Sequence, residues 1–147
     1  LDNLTKCLEE SYLLYFNFQK NIKIQFINEH KDIYFQFDKL QLTQCFNNLI
    51  KNAIEAVEKI PNPSIIINLI QDDKGIFIYI KDNGIGIDKK AISKLFEPYF
   101  TTKNKGTGLG LSIVKRIIED HGGKINIEKN KNMAGTTSMI FFGPMNE

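Results

Sequence analysis

The sequence has little of what marks a secreted, membrane-spanning or nucleic-acid-binding protein. Its two cysteines, Cys7 and Cys45, have neither paired nor metal-ligand spacing, which predicts buried free thiols in a reducing compartment. No run approaches the about 20 apolar residues that a membrane helix needs, and no signal peptide opens the chain. The formal net charge of +2 is small and argues against a nucleic-acid partner. We therefore expect a soluble, cytoplasmic protein.

The length and composition suit a single domain. The 147 residues, with 42% hydrophobic content, are enough for one globular domain with a core and leave no room for a second. We therefore treat residues 1–147 as one unit. Because the chain begins at Leu1 without a methionine, we expect it to be a fragment, and a membrane anchor of the parent protein would lie outside it.

Hydrophobic periodicity predicts alternating helices and strands. The predicted helices are Leu4–Phe16, a long one opened by Asp38 and closed before Pro61, a short one from Asp88, and Leu109–Asp120. The predicted strands are Ile22–Ile27, Ser64–Ile70, Ile76–Lys81, Lys124–Glu128 and Thr136–Phe142. Antiparallel hairpins with helices between them predict an α+β fold: a two-layer sandwich with helices on one face of a mixed, mostly antiparallel sheet. The other face should be partly polar.

The long helix after Asp38 carries the first of three stretches that suggest a site. Besides its apolar side it has a second stripe of carboxamides that ends in a carboxylate. The stripe consists of Gln41, Gln44, Asn48, Asn52 and Glu55. A solvated helix face is the plainer interpretation, and a ligand-facing stripe is the functional one. Mg²⁺ takes oxygen ligands and keeps waters and substrate phosphates, so a single Asn oxygen suffices, with Asn52 as the candidate.

The second stretch, Asp82-Asn83-Gly84-Ile85-Gly86-Ile87, follows a strand. Asp/Asn-Gly pairs form ordinary turns, but a turn does not explain the second glycine or the carboxylate at the end of the strand. A half-buried carboxylate can accept a hydrogen bond from the exocyclic amine of adenine, where guanine presents a carbonyl. A site built on one buried hydrogen bond rejects an analogue lacking the partner by about 10⁴-fold, so Asp82 predicts adenine specificity.

The third stretch, Gly106-Thr107-Gly108-Leu109-Gly110-Leu111, opens a helix. Leu111 stands where the dinucleotide motif G-x-G-x-x-G requires glycine, and no Gly-Lys-Ser/Thr follows a strand, so Rossmann and P-loop patterns are excluded. Either a flexible loop precedes the helix, or the free N–H groups and dipole of the helix form an anion site. The preceding segment, from Phe96 to Lys105, has an aromatic anchor, Phe96–Phe100, followed by a basic loop. This pattern predicts a lid in which Lys103 reaches a phosphate.

In this order, four stretches resemble the N, G1, F and G2 boxes of sensor histidine kinases. They are Asn48–Asn52, Asp82–Gly86, Phe96–Phe100 and Gly106–Gly110. The resemblance covers nearly the whole chain and is greatest to the nitrogen-regulation branch. It implies the catalytic, ATP-binding domain of a bacterial two-component histidine kinase, on the fold shared with DNA gyrase, heat-shock chaperones and MutL.

Residue by residue, the resemblance implies a site for ATP and Mg²⁺. Asn52 would coordinate Mg²⁺, Asn48 would contact phosphate and act in catalysis with Lys103, and Asp82 would hold adenine. Gly84 and Gly86 would shape the base pocket. The phosphate-binding lid and its hinge would comprise Gly106, Thr107, Gly108, Leu109, Gly110 and Leu111.

The chain lacks a recognisable phosphoacceptor. Neither His30 nor His121 has the surroundings that the family gives its phosphorylated histidine. The resemblance therefore implies a dimerising histidine domain upstream of Leu1, a homodimeric full-length protein, and a monomeric fragment that binds ATP but transfers little. The receiver aspartate of a response regulator would take the phosphoryl group next.

Other functional classes stay open. An ATPase of the gyrase or MutL kind would need a water-activating Glu where Asn48 stands. A serine kinase of the anti-sigma-factor type would need no histidine domain. Its family, however, also resembles the ATPases in having a Glu at the position of Asn48. A nucleotide-sensing module would bind ATP without transferring it.

Overall fold

The computed structural model describes residues 1–29, 32–100 and 110–144. The helices are α1 (Leu4–Phe18), α2 (Lys39–Ala56), α3 (Lys89–Ile92) and α4 (Gly110–Asp120). The strands are β1 (Asp2–Asn3), β2 (Lys23–Asn28), β3 (Tyr34–Phe35), β4 (Ser64–Asp72), β5 (Gly75–Asp82), β6 (Gly123–Lys129) and β7 (Thr136–Phe142). Within these residues, no helix combines the length and apolar character needed to cross a membrane.

Five strands form the main sheet, in the order β2-β4-β5-β7-β6. The pairs β4–β5, β5–β7 and β6–β7 are antiparallel, and β2–β4 is parallel because α2 carries the chain across between those two strands. The predicted α+β sandwich with a mostly antiparallel mixed sheet is confirmed. A separate two-residue ladder between β1 and β3 was not predicted.

Side-chain caps set where the helices begin. Asn3 Oδ1 accepts a hydrogen bond from the Lys6 N–H at 3.1 Å at the start of α1. Asp38 Oδ1 accepts from the Gln41 N–H at 3.0 Å at the start of α2. Each cap satisfies a backbone N–H that has no partner inside the helix, which fixes the first turn. The predicted opening of the long helix by Asp38 is confirmed.

One hydrophobic core lies between the helices and the inner face of the sheet. The apolar side of α2 is buried there, as the helical period predicts, and alternate residues of β4 and β5 meet it. The buried strand residues are Ile65, Ile67, Leu69, Ile76, Ile78 and Ile80. The opposite sheet face is only partly buried and carries Asn68, Tyr79 and Lys81, so it is partly polar, as expected.

Helix α4 runs antiparallel along the first half of α2. Gly110, at the start of α4, lies against Asn48. The Cys45 thiol donates to the Val114 carbonyl at 3.9 Å. Beyond the end of α4, the Asp38 backbone N–H donates to Nε2 of His121 at 3.0 Å. Residue numbers fall along α2 as they rise along α4, so the first residue of α4 is placed beside the middle of α2.

Candidate functional site

Asp82 ends β5 and is only 6% exposed. Its Oδ1 accepts hydrogen bonds from two backbone N–H groups, that of Gly84 at 2.8 Å and that of Thr136 at 3.3 Å. Its Oδ2 receives no hydrogen bond from the part of the chain that the structure describes. One oxygen therefore holds the turn, and the other remains an acceptor for a ligand.

The electrostatics of Asp82 favour such a ligand. Burial raises the pKa of its carboxyl group, and the two backbone N–H bonds partly oppose that rise. A ligand amine that donates to Oδ2 would favour the charged carboxylate and so oppose the same rise in pKa.

Asn130 supports the end of the strand that carries Asp82. Its Nδ2 donates to the carbonyls of Asp82 at 2.8 Å and Ala134 at 3.0 Å, and its Oδ1 accepts from the Thr137 hydroxyl at 2.6 Å. The loop between β6 and β7 is thereby tied to the candidate site. Sequence reasoning missed Asn130 because an Asn between two strands looks like an ordinary turn residue.

The glycines after Asp82 seat the turn on the end of α2. A Cβ on Gly84 would lie 2.5 Å from the Ala56 carbonyl oxygen, which also accepts from the Ile85 N–H at 3.1 Å. Any side chain at position 84 would push the turn away from α2. Gly86 has a φ of +77°, in the left-handed region that favours glycine.

The carboxamide stripe of α2 divides into an exposed and a half-buried part. Gln41 and Gln44 are exposed, whereas Asn48, Asn52 and Glu55 are half-buried. The Asn52 Nδ2 donates to Asn48 Oδ1 at 3.1 Å, so the two carboxamides form one polar pair. The structure thus separates a solvated half of the stripe from a half that is partly buried.

Gly110 brings the start of α4 against this pair. A Cβ at position 110 would lie 2.5 Å from Asn48 Nδ2, so only glycine fits while the carboxamide keeps its place. Leu111 is half-buried and packs against the core. The other predicted residues of this group, Lys103, Gly106, Thr107, Gly108 and Leu109, lie outside the described residues.

The aromatic anchor before that segment lies on α4. The Lys115 Nζ is 5.5 Å from the centroid of the Phe96 ring, and both Phe96 and Phe100 are half-buried. The anchor therefore contacts the helix that Gly110 begins.

The parts of the candidate site lie one after another along a single face of α2. Ala56, Asn52 and Asn48 are spaced four residues apart, so Gly84 and Gly110 contact positions about 12 Å apart along the axis. The buried carboxylate lies at one end, and the carboxamides and a helix start lie at the other. No group of three or more His, Cys, Asp or Glu that could hold a metal occurs in the described ranges. The donor set suits Mg²⁺ held jointly by an amide oxygen and phosphate oxygens.

A protein-family model described as histidine kinase-, DNA gyrase B- and HSP90-like ATPase matches residues 37–146. The chain belongs to this ATPase family. The match spans α2, the Asp82 turn, α4 and the last two strands, and so includes every part of the candidate site.

Relatives of this ATPase domain include sensor kinases. Sporulation kinase A of Bacillus subtilis is 39% identical over 143 residues, 95% of this chain and 23% of that kinase. Nitrogen regulation protein NtrY of Azorhizobium caulinodans is 40% identical over 97 residues, 63% of this chain and 13% of that protein. NtrY bears out the resemblance to the nitrogen-regulation branch. The chain spans less than a quarter of either relative.

Solved structures of histidine kinase ThkA share the ATPase fold. Its nucleotide-free catalytic domain is 34% identical with a TM-score of 0.84, covering 96% of this chain and 94% of that chain. The same kinase in complex with response regulator protein TrrA is 31% identical with a TM-score of 0.82, covering 98% of this chain and 41% of that one.

Proposed function

We propose that this chain is the ATP-binding catalytic domain of a sensor histidine kinase. It would transfer the γ-phosphoryl group of ATP to a histidine on a separate domain of the same protein, for relay to an aspartate of a response regulator. The observation that carries the proposal is the order of groups along α2, with Asp82 beyond one end and the Asn48–Asn52 pair beside Gly110 at the other. A nucleotide has the same order, with a base at one end and phosphates at the other.

The base would lie at the Asp82 turn. Asp82 Oδ1 is engaged by the Gly84 and Thr136 N–H groups, so Oδ2 is left to accept from the exocyclic amine of adenine. Guanine would set its carbonyl against the same oxygen, leaving two acceptors face to face. We therefore expect ATP to bind and GTP to be rejected.

The phosphates would lie near the start of α4, where the backbone N–H groups of the first turn favour anions. Asn52 would hold Mg²⁺, and Asn48 would contact phosphate. The ion would neutralise charge on the phosphates during transfer. Lys103 would add a positive charge there, and Gly106, Thr107, Gly108 and Leu109 would form the lid with Gly110 and Leu111.

The acceptor histidine would belong to another domain. Both ring nitrogens of His121 are already engaged, Nε2 by the Asp38 N–H and Nδ1 with the Ile117 carbonyl, so this ring is no free nucleophile. The response-regulator partner is proposed because ThkA, a similar kinase, has been solved in complex with one. A dimer of the whole kinase and a location in the cytoplasm belong to the same proposal.

The neutral residue at position 48 argues against an ATPase of the gyrase kind. Hydrolysis there would need a carboxylate base to activate water, and the Asn48 carboxamide cannot take up a proton at neutral pH. Its hydrogen bond with Asn52 fits ligand binding better than proton transfer.

The test combines binding and transfer. Calorimetric titration of this chain with ATP and Mg²⁺, beside GTP, should give binding for ATP alone. Radiolabelled ATP should then label the histidine-containing domain of the parent kinase only when this chain is added. The label should be lost in acid, as a phosphorus–nitrogen bond is, and should pass on to a receiver domain.

The matched control is the same acceptor domain with its histidine replaced by alanine, which should take no label. A folded chain that does not bind ATP would overturn the proposal. Labelling of a serine instead would replace the histidine kinase with a serine kinase.

A further inference from the structure

His121 links the two helices that bear the phosphate end of the candidate site. It follows α4, and its Nε2 accepts a hydrogen bond from the backbone N–H of Asp38, the residue that caps α2, at 3.0 Å. Its Nδ1 lies 2.7 Å from the Ile117 carbonyl one turn back in α4. A carbonyl only accepts, so Nδ1 carries the proton and Nε2 does not. The neutral ring thus joins the end of α4 to the beginning of α2.

The buried side chains of α4 are all apolar. The buried residues of α4 are Val114, Ile117 and Ile118, and apolar burial is not directional. The bond from the Cys45 thiol to the Val114 carbonyl is long, at 3.9 Å. By contrast, the Asp38–His121 hydrogen bond has a direction and a length that a slide would break.

If α4 slid along α2, Gly110, at the other end of α4, would move relative to Asn48. One residue along a helix is about 1.5 Å, and Gly110 already lies so close to Asn48 that a Cβ there would come within 2.5 Å of Nδ2. A shift of this size would move the start of α4 away from the Asn48–Asn52 pair or press against it.

We propose that His121 is a positioning residue for the nucleotide site: by fixing α4 lengthwise against α2, it holds the start of α4 at Asn48. This rests on the proposed function only in taking the ligand to be ATP. The imidazole is about 11 residues from Gly110 along α4, so it acts through the helix and touches no ligand.

Two substitutions separate the two hydrogen bonds of the ring. In His121→Gln, the side-chain amide reaches about as far as Nε2, so its oxygen can still accept from the Asp38 N–H. In His121→Asn, the shorter amide reaches about as far as Nδ1, so it can keep only the bond to Ile117. His121→Ala keeps neither. If the position of α4 along α2 depends on the hydrogen bond to Asp38, His121→Gln should preserve the site. His121→Asn should then behave like His121→Ala.

The measurement is the dissociation constant for ATP and Mg²⁺, taken well below each variant's melting temperature. We expect it to rise about 3- to 10-fold in His121→Asn and His121→Ala, the effect of one hydrogen bond, and to change less than 2-fold in His121→Gln. Even without ATP, the side-chain amide resonances of Asn48 should shift in His121→Asn and His121→Ala. Loss of stability alone would not cause this shift.

The matched control is Thr5→Val. Thr5 Oγ1 accepts from the Ile33 N–H at 3.0 Å, so this variant also removes a side-chain acceptor from a backbone N–H, but on α1, outside the α2–α4 contact. It should lower the melting temperature and leave ATP affinity unchanged. Equal affinity and an unshifted Asn48 resonance in all His121 variants would overturn the role of His121. Failure of the unaltered chain to bind ATP would instead overturn the proposed function.

Discussion

At the scale of single residues, Asp82 uses one carboxylate oxygen for the fold and leaves the other for the proposed ligand. Oδ1 is fixed by the N–H groups of Gly84 and Thr136, and the carbonyl of the same residue is held by Asn130. The side chain therefore cannot rotate away from this position without leaving two backbone donors unsatisfied. This rigidity orients Oδ2 before any ligand arrives, which reduces the ordering cost of binding.

Asp82→Asn tests whether Oδ2 is the acceptor for adenine. The Asn oxygen can still accept from Gly84 and Thr136, so its Nδ2 would meet the adenine amine as donor against donor. We expect ATP affinity to fall about 100-fold or more by calorimetry. The melting temperature should hold or rise, because a buried charge is removed. Asp73→Asn, in the exposed hairpin turn, is the control and should change neither quantity.

The raised pKa of Asp82 predicts two opposite pH effects. ATP affinity should fall as pH drops through the raised pKa, because protonation blocks an acceptor oxygen. The folded state holds the proton of the Asp82 carboxyl group more tightly than the unfolded chain does, where an Asp has a pKa of about 3.9. The contribution to the free energy of unfolding therefore decreases as pH rises from the unfolded to the folded pKa. Urea unfolding of the wild type and Asp82→Asn across that window should diverge as pH rises, and parallel curves would contradict the burial effect.

At the scale of helices and strands, local patterns predict most of the fold. The apolar side of α2 and its cap at Asp38 follow from spacing and residue type, and the β4–β5 hairpin follows from its turn. The β1–β3 ladder escaped prediction because two residues carry no periodicity. The lengthwise position of α4 against α2 also escaped, since a helical period defines a face but no axial offset.

The candidate site likewise has parts that local sequence patterns predict and a part that they do not. The Asp82 turn and the Asn48–Asn52 pair are each local in sequence, so their residue types stand out as motifs. Asn130 lies 48 positions from Asp82, and only the pairing of β5 with β7 brings its loop to the end of that strand. Contacts made by the tertiary fold leave no mark in a single sequence.

Gly110→Ala tests the contact between α4 and α2. The added Cβ would come 2.5 Å from Asn48 Nδ2, and because that atom ends a movable side chain, the carboxamide should turn rather than the helix separate. We expect ATP affinity to fall about 10-fold through loss of one oriented polar contact. Stability should hold or rise slightly, because alanine favours helix over glycine.

The control for Gly110→Ala is the same change at Gly143. A Cβ there would meet nothing within 4 Å, and its φ is not in the left-handed region, so neither affinity nor stability should change. If Gly110→Ala binds ATP as tightly as the unaltered chain, the Asn48 carboxamide is not a ligand contact.

At the scale of the whole molecule, all parts of the site rest on one core. The strand that ends at Asp82 and both helices that meet at Gly110 contribute side chains to the same buried cluster. A ligand held by β5, α2 and α4 together would therefore resist both the separation of α4 and global unfolding. By linkage, a ligand that binds only the folded, closely packed state raises the ratio of that state to the opened one by a factor of one plus its concentration divided by its dissociation constant.

The two buried thiols can report this coupling. Cys45 is 0% exposed beneath α4, and burial raises its pKa to about 12. Cys7 is 1% exposed between α1 and α2, 3.4 Å from the Thr43 hydroxyl, and burial raises its pKa as well. Since the thiolate is the reactive form, both should react with a thiol reagent at pH 8 only after the structure opens.

ATP and Mg²⁺ should slow the labelling of Cys45 more than that of Cys7. ATP would join α2 to α4, so the opening that exposes Cys45 must release it, and at 100 times the dissociation constant the rate should fall about 100-fold. Separation of α1 exposes Cys7 without disturbing any proposed ligand contact, so Cys7 should be protected less. Mass spectrometry of the labelled peptides gives both rates in one sample, and GTP is the control. Equal protection of the two thiols would mean that they react only through global unfolding, whereas unprotected Cys45 would mean that ATP does not bridge α2 and α4.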